Sequence, residues 1–174
     1  KEGLYNLFEL ISKASTDGFY YKPRIDFSLL KQNKDGLIIS SACLNGKIAK
    51  ILMNKNKFNI KAYKEVNKYK KVFGDDFYLE IMANKLKDQY KANKKIIKLA
   101  KDTNTKCIAT NDVHYLNKDN AEAHDVMLAI GTRSKIDEKD RLSFDNNEFY
   151  FKTREEMAEG LFEDEDYDKY KREI

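Results

Sequence analysis

The nine residues Lys-Cys-Ile-Ala-Thr-Asn-Asp-Val-His at positions 106–114 determine how the rest of the chain is interpreted. The apolar run at 107–109 lies between a lysine-rich helical pattern and a polar segment, which predicts a buried strand of an α/β domain. Asp112 and His114 follow where that strand ends. Side chains two apart on a strand share a face, so we expect this carboxylate and this imidazole to project together. They are metal-ligand types, although such a pair also forms purely structural hydrogen bonds.

Helix and strand patterns alternate along the chain. Helical spacing of apolar residues predicts helices over residues 4–14, 58–73, 86–100 and 120–130. Apolar runs predict strands at residues 37–39, 77–81 and 107–109, with a last strand at 149–151 and a capping box at 153–156 opening a final helix. On the first helix we expect Leu4, Leu7, Phe8, Ile11 and Ala14 to form the buried stripe. Strands separated by helices, without hairpin turns, predict parallel βαβ units.

A second set of ligand-type side chains follows the strand at 37–39. Extending that strand puts Ile39, Ser41 and Cys43 on one face, with Cys43 at a strand's carboxyl end as Asp112 is. A thiolate, an imidazole and a carboxylate in one cleft suit Zn²⁺ or a similar ion. A single Cys is more often a small buried hydrophobe, and that interpretation stays open. The same alternation puts Cys107 on the opposite face, away from the predicted site.

Composition excludes several classes of protein. The 174 residues are 41% hydrophobic and 36% charged, with 11 Tyr and 10 Phe, which indicates a folded chain rather than a disordered one. The net charge is +4, and only five of the 33 cations are Arg, so solvated helix faces are favoured over a nucleic-acid patch. Two Cys suit a reducing cytoplasm and exclude a disulfide framework. We expect no membrane span and no signal peptide, and the start at Lys1 suggests an excised segment.

Two further features have more than one interpretation. Phe19 to Asp26 is an aromatic and basic cluster that could stack on bases or hold a phosphate. The alternative, which we favour on sequence grounds, is that its Tyr rings pack over the next strand while Lys22 and Arg24 cap a helix end. His124 is either a partner of a metal ligand or an ordinary helical His bonded to a neighbour. The acidic run at 163–168 indicates a solvated end or linker.

A series of motifs carries a resemblance to a known family. The motifs are Gly18-Phe19-Tyr20-Tyr21-Lys22-Pro23-Arg24-Ile25-Asp26, Ser41-Ala42-Cys43-Leu44, Phe77-Tyr78-Leu79-Glu80-Ile81, Ala109-Thr110-Asn111-Asp112-Val113-His114-Tyr115-Leu116, Ala121-Glu122-Ala123-His124-Asp125-Val126 and Asn147-Glu148-Phe149-Tyr150. In this order they resemble the PHP (polymerase and histidinol phosphatase) domain of bacterial replicative DNA polymerase III alpha subunits. The blocks cover most of the chain.

The resemblance implies a fold and a partial site. The family's domain is a distorted (βα)7 barrel with mainly parallel strands, of which this chain would hold the C-terminal part. Cys43, Asp112 and His114 match late ligands of the family's metal cluster, whereas its early ligands would precede Lys1. The resemblance thus implies an incomplete site for a divalent metal, Zn in the first place and Mg or Mn as alternatives. Residues 1–142 would belong to the PHP domain, and 143–174 would lead toward the polymerase palm.

The chain departs from the family at two turns. Relatives commonly carry Asp-His-Gly where this sequence has Ala83-Asn84-Lys85, and Thr-Gly-Lys where it has Thr132-Arg133-Ser134. Neither position matches a metal ligand of the family. The departures therefore concern local loop contacts more than the predicted site.

Three functions remain open. The first is a segment of a DNA-directed DNA polymerase acting in chromosomal replication, whose metal cluster would support 3′–5′ proofreading hydrolysis. The second is a non-catalytic scaffold that braces the polymerase core, and a less favoured third is a free-standing PHP phosphoesterase. The first two imply DNA, other replisome subunits and the remaining polymerase domains as partners. As part of a barrel, the chain should also expose an unpaired strand edge through which it could self-associate.

Overall fold

A computed structural model describes residues 1–54 and 60–163. The α-helices in these residues are α1 (Glu2–Thr16), α2 (Phe27–Gln32), α3 (Lys47–Met53), α4 (Ile60–Phe73), α5 (Lys87–Thr103), α6 (Ala121–Thr132) and α7 (Arg154–Gly160). The strands are β1 (Ile39–Ser40), β2 (Phe77–Met82) and β3 (Lys106–Thr110), and short 3₁₀ turns lie at Gly74–Asp76 and Lys118–Asn120. No helix in the described ranges is long and apolar enough to cross a bilayer.

The three strands form one parallel sheet with β2 in the centre. Ile39 pairs with Phe77, and the ladder between β2 and β3 runs from Tyr78–Lys106 to Met82–Thr110. Helices α3 and α4 connect β1 to β2, and α5 connects β2 to β3. The predicted parallel α/β organisation is therefore confirmed. Within residues 1–54 and 60–163, β1 and β3 each pair only with β2, so the sheet has two open edges rather than closing into a barrel.

The core lies between the sheet and helices α3 to α5. Its buried members include Ile48, Leu52, Val66, Phe73, Phe77, Leu79, Ile81, Ile96, Ile97, Leu99, Leu161 and Phe162. Along β2 the alternation is clear, because Leu79 and Ile81 are fully buried while Tyr78 and Glu80 are half-buried. The opposite face is polar near the strand ends: Ser40 donates to Glu80 at 2.6 Å and Thr110 donates to the same carboxylate at 2.9 Å. One face of the sheet is thus packed, and the other is open.

Helix α1 does not bury its predicted stripe. Ala14 is buried, but Leu4 is 54% exposed and Phe8 is 53% exposed, and Leu7 and Ile11 are exposed as well. The helix instead buries Leu10 together with Ala14. The prediction of a helix was right, and the prediction of which face is buried was wrong. The helical period identifies an apolar stripe, but it does not say whether the described part of the chain supplies a surface to cover it.

Two strand predictions need correction. The strand predicted from Leu37 is formed only at Ile39 and Ser40, where the backbone can pair with β2. The strand predicted at 149–151 is reduced to a single parallel bridge between Tyr115 and Tyr150. The short helices α2 and α3 were not predicted, since their six and seven residues are too few to display a helical period. Phe58, predicted to begin α4, lies outside the described residues.

The two turns that depart from the family share a backbone feature. Lys85 and Arg133 both have left-handed backbones, with φ of 54° and 56°. At each position the family resemblance places a Gly, which adopts this conformation without steric cost. Arg133 ends α6, where its backbone N–H caps the last helical carbonyls. The two positions therefore hold non-Gly residues in a conformation that Gly adopts at a lower cost.

We expect the substitution Arg133→Gly to stabilise the protein by about 0.5–1 kcal/mol, because it relieves a left-handed non-Gly residue at a helix end. Urea unfolding followed by circular dichroism measures this. Asn104→Gly is the matched control: Asn104 is also left-handed at the end of α5, but Asn tolerates that conformation, so its change should be a few tenths of a kcal/mol. Equal gains for both, or a loss for Arg133→Gly, would contradict this interpretation of the turn.

Candidate metal-binding cavity

The segment after β3 turns sharply rather than continuing as a strand. β3 ends at Thr110, and Asp112 has a left-handed backbone with φ of 53°. The prediction that Asp112 and His114 share a face by strand alternation was therefore wrong in its geometry. Asn111 fixes the turn, because its buried amide donates to the carbonyl oxygens of Glu148 at 2.7 Å and Tyr150 at 2.8 Å.

The ring of His114 is oriented by its own turn. Its Nδ1–H donates to the backbone oxygen of Asp112 at 2.5 Å, since a carbonyl can only accept. In the neutral ring this leaves the Nε2 lone pair free, which is the tautomer that metal-binding His side chains use. The ring also packs edge-on against Phe144, with centroids 4.8 Å apart, and against His124 at 5.5 Å. His114 thus has one ring nitrogen that is not used by this turn.

Cys43 lies in a turn and not on a strand. The chain leaves β1 after Ser40, and Ala42 has a left-handed backbone with φ of 61°. A hydrogen bond from the N–H of Gly46 to the Cys43 oxygen at 2.7 Å closes the turn just before α3. The predicted common face of Ile39, Ser41 and Cys43 was therefore wrong. Strand alternation applies only where the backbone stays extended.

The structure nevertheless places Cys43, Asp112 and His114 on the wall of one cavity of about 420 Å³. The remaining wall is formed by Leu44, Asn45, Asn84, Leu86, Gln89, Leu142, Ser143, Phe144, Asp145 and Phe149. In the ranges 1–54 and 60–163, however, no three His, Cys, Asp or Glu side chains lie close enough together to hold a metal ion. A common cavity is what a shared site requires. The assignment of the three residues as ligands stays a prediction.

A buried amide network reaches the wall of this cavity through Gln89. Asn93, fully buried, donates to the oxygens of Met82 at 2.9 Å and Leu161 at 2.8 Å, and its own oxygen accepts from Gln89 at 2.9 Å. These bonds fix which way the Gln89 amide points. Its Oε1 atom is buried and has no hydrogen-bond partner in the described structure. An unpaired acceptor of this kind suits a cavity that receives a hydrogen-bond donor, and sequence reasoning missed it.

His124 faces the predicted ligand from α6. Its ring lies near His114 and Tyr115, with centroids 5.5 Å and 5.3 Å away. Burial, and then the proximity of His114, lower the pKa of His124, so its neutral form is favoured. Of the two roles considered for this residue, the structure supports contact with the candidate site rather than a bond within its helix.

An ion cluster lies beside the turn that Asn111 fixes. The Glu148 carboxylate accepts from Lys118 at 2.6 Å and contacts Lys152, whose side chain is 1% exposed. Burial alone would raise the pKa of Glu148, but the hydrogen bonds from the two lysines outweigh it, and the pKa is lowered. The pKa of Lys152 is lowered by its burial. This cluster supports the segment that carries Phe149, whose backbone oxygen accepts from the His114 N–H at 2.8 Å.

Cys107 lies apart from the cavity, as predicted. It packs against the core and is absent from the cavity wall, and burial raises the pKa of its thiol to about 11. We therefore expect Cys107, left as the only thiol in Cys43→Ser, to react with iodoacetamide at pH 7.5 about 300-fold more slowly than an unperturbed thiol of pKa about 8.5. Its rate should rise about tenfold per pH unit up to about pH 10.

Mass spectrometry of the alkylated protein measures this rate, and the same protein in urea provides the unperturbed reference. Labelling of folded Cys107 at the rate seen in urea would show that the thiol is not shielded as described.

The chain is similar in sequence to known proteins along most of its length. The family model of the PHP domain matches residues 1–84. The chain is 42% identical, over 93% of its length, to DNA polymerase III subunit alpha of Borreliella burgdorferi. It is 42% identical over 94% of its length to the same subunit of Helicobacter pylori strain 26695, and 41% over 93% to that of Aquifex aeolicus. It spans about one seventh of these relatives, or 14% of each.

Proposed function

We propose that this chain, whose likeness to the PHP domain of the DNA polymerase III alpha subunit is confirmed, is a segment of a bacterial replicative DNA polymerase. The parent protein would carry out template-directed DNA synthesis in the cytoplasm, with DNA and the other replisome subunits as partners. The observation that carries the proposal is the similarity to these subunits over more than nine-tenths of the chain. We do not expect the segment alone to extend a primer.

Within that protein, we assign residues 1–142 to the C-terminal part of the PHP domain. Residues 143–174 would lead toward the polymerase palm. The described part of this second segment stays attached to the first through Asn111 and through Leu161 and Phe162, which are buried in the main core. The chain would then continue to the rest of the polymerase from a segment that is packed in the core through these last two side chains.

Cys43, Asp112 and His114 would contribute part of a metal site for 3′–5′ proofreading hydrolysis. Their thiolate, carboxylate and imidazole groups suit Zn²⁺, whereas Mg²⁺ and Mn²⁺ prefer oxygen ligands. In the described part of the chain no three such side chains lie close enough to hold an ion, so the site would need further ligands from the parent protein, as the family resemblance implies. A bound ion would supply hydroxide from water and stabilise charge on the phosphodiester. His114 would offer Nε2, and the Gln89 oxygen would accept from a donor in the cavity.

The test uses the full-length polypeptide that contains this chain, with a primer whose 3′ end is mismatched. Asp112→Asn keeps the shape and tolerates the left-handed backbone, so it removes mainly the ligand charge. We expect it to slow removal of the mismatched nucleotide about 10–100-fold while primer extension is retained. Asp145→Asn, which removes another carboxylate from the same cavity wall, is the matched control and should leave removal unchanged.

The second candidate function is that of a scaffold, and the buried ion cluster around Glu148 favours it as an additional role. If the domain only braces the polymerase, Asp112→Asn should leave mismatch removal unchanged, and Glu148→Gln should reduce primer extension and thermal stability together. Equal loss of mismatch removal in Asp112→Asn and Asp145→Asn would point to the charge of the cavity rather than to a ligand. The free-standing phosphoesterase is disfavoured by the similarity to the polymerase subunits along the chain.

A further inference from the structure

The loop between α1 and α2 presents its aromatic rings to solvent. Phe19 is 58% exposed, Tyr20 62% and Tyr21 84%, and the basic residues Lys22 and Arg24 are exposed as well. The interpretation favoured from the sequence, in which the rings pack over the next strand, is therefore wrong. Exposing three neighbouring aromatic side chains forgoes a large amount of apolar burial. In the described structure these three rings do not pack in the hydrophobic core.

The loop is held in a defined shape rather than hanging free. At its base, a Cβ on Gly18 would lie 1.9 Å from the backbone oxygen of Arg24, so the two ends of the loop touch. At its tip, the Tyr20 N–H donates to the Lys22 oxygen at 3.2 Å, and Tyr21 between them has a left-handed backbone with φ of 59°. A strained backbone persists only where the surrounding structure holds it, and here the closed loop does so. The Tyr21 ring lies in solvent, so packing of that ring does not offset the strain.

The loop combines aromatic and basic side chains in a way that fits one ligand. The rings of Tyr20 and Tyr21 meet edge to face, with centroids 4.6 Å apart, and the Arg24 guanidinium lies 4.7 Å from the Tyr20 centroid. Aromatic faces stack on nucleobases, and neighbouring cations attract the phosphates that connect them. Of the two carboxylates that flank the loop, Asp17 lies at the end of α1, and Asp26 caps α2 by accepting from the Leu29 N–H at 2.7 Å. The exposed tip therefore carries positive charge beside its rings.

We propose that the loop from Phe19 to Arg24 is a binding site for single-stranded nucleic acid, with Tyr20 and Tyr21 stacking on bases and Lys22 and Arg24 contacting phosphates. A base pair inside a duplex hides its faces, so the site selects unpaired strands. This proposal rests on the geometry of the loop and is independent of the candidate metal cavity. Its loss would leave the ligands Cys43, Asp112 and His114 unaffected.

The experiment uses the absence of Trp from this sequence. Tyr21→Trp introduces a single indole at the most exposed ring of the loop, and Tyr5→Trp introduces one at an exposed ring on α1 as the matched control. Each full chain, checked for wild-type circular dichroism, is titrated with oligothymidylate at low salt. We expect quenching of the Tyr21→Trp emission, because the indole stacks on a base, and little change in Tyr5→Trp.

Affinity measured with a labelled oligonucleotide completes the test. In otherwise wild-type chain, Tyr20→Ala and Tyr21→Ala should each weaken binding about tenfold, while Tyr21→Phe retains it. Lys22→Gln should reduce the slope of affinity against salt by about 0.7. Oligouridylate and a duplex of equal length serve as further arms: binding of either single strand supports the proposal and ranks DNA against RNA, and preference for the duplex overturns it.

Two other results would also overturn it. One is equal quenching at both Trp positions, which would indicate non-specific association. The other is a Tyr21→Trp emission that is blue-shifted and indifferent to oligonucleotide, which would indicate that the loop docks on protein instead.

Discussion

Replacing Glu148 with alanine is expected to destabilise the protein by about 3–5 kcal/mol, because it leaves the buried ammonium of Lys152 without its counter-charge. The Lys152 side chain is 1% exposed and that of Glu148 is 9% exposed, so water cannot take over the role of the lost partner. Urea unfolding monitored by circular dichroism measures the change. Lys118→Ala is the matched control, since it removes an exposed partner of the same carboxylate and should cost about 0–1 kcal/mol.

The same pair predicts a dependence of stability on pH. The pKa of Glu148 is lowered in the folded state, so the folded state binds fewer protons than the unfolded chain at acidic pH. Its contribution is fully present above the unfolded pKa of about 4.3 and is lost as the pH falls from there through the lower folded pKa. Glu148→Ala should lack this part of the acid dependence. An equal cost for Glu148→Ala and Lys118→Ala, at every pH, would show that Lys152 does not need the carboxylate.

Asn93→Ala should be the second severe substitution, with a cost of about 3–4 kcal/mol. Asn93 holds four hydrogen bonds: it donates to the backbone oxygens of Met82 and Leu161, and it accepts from the Met82 N–H at 3.1 Å and from Gln89. Its removal leaves buried groups unpaired, each at a cost of roughly 1–3 kcal/mol before local relaxation. The substitution therefore loosens β2, α5 and the segment after α7 together.

Thermal and urea unfolding of Asn93→Ala measure this cost. Lys91→Ala, on the same helix but in an exposed ion pair with Asp88, is the control and should change the free energy of unfolding by less than about 0.5 kcal/mol. Gln89→Ala should fall between the two, because it removes one hydrogen bond and an acceptor that is already unpaired. A cost below about 1 kcal/mol for Asn93→Ala would mean that the network is replaced by other contacts.

The sequence was sufficient for the layered α/β organisation because the longer elements carry clear patterns. The four-three-four spacing through Ala62, Val66, Tyr69 and Phe73 predicted α4. The capping box at Thr153 and Glu156 opens α7 as expected, with the Glu156 N–H donating to the Thr153 hydroxyl at 3.2 Å. The short helices α2 and α3 were missed, because fewer than eight residues are too few to display a helical period. The strand predicted from Leu37 was placed correctly but is only two residues long.

The three candidate ligands in the cavity were predicted for a reason that was partly wrong. Alternation along extended strands led to Cys43, Asp112 and His114, yet Ala42 and Asp112 have left-handed backbones, and the chain turns at both places. What brings the three residues to one cavity is their location after the carboxyl ends of two strands in a parallel sheet. Gln89 and Asn93 could not have been predicted, since an amide in a helix gives no sequence signal that distinguishes a buried network from a solvated surface.

Cobalt titration of the chain tests most directly whether Cys43, Asp112 and His114 share one ion. With excess Co²⁺, we expect a thiolate-to-cobalt charge-transfer absorption in the wild type and in Cys107→Ser, its loss in Cys43→Ser, and its weakening in Asp112→Asn and His114→Ala. Affinity should be poor, because the described residues supply an incomplete ligand set. An absorption that persists without Cys43, one that requires Cys107, or none at all in excess cobalt would contradict the shared site.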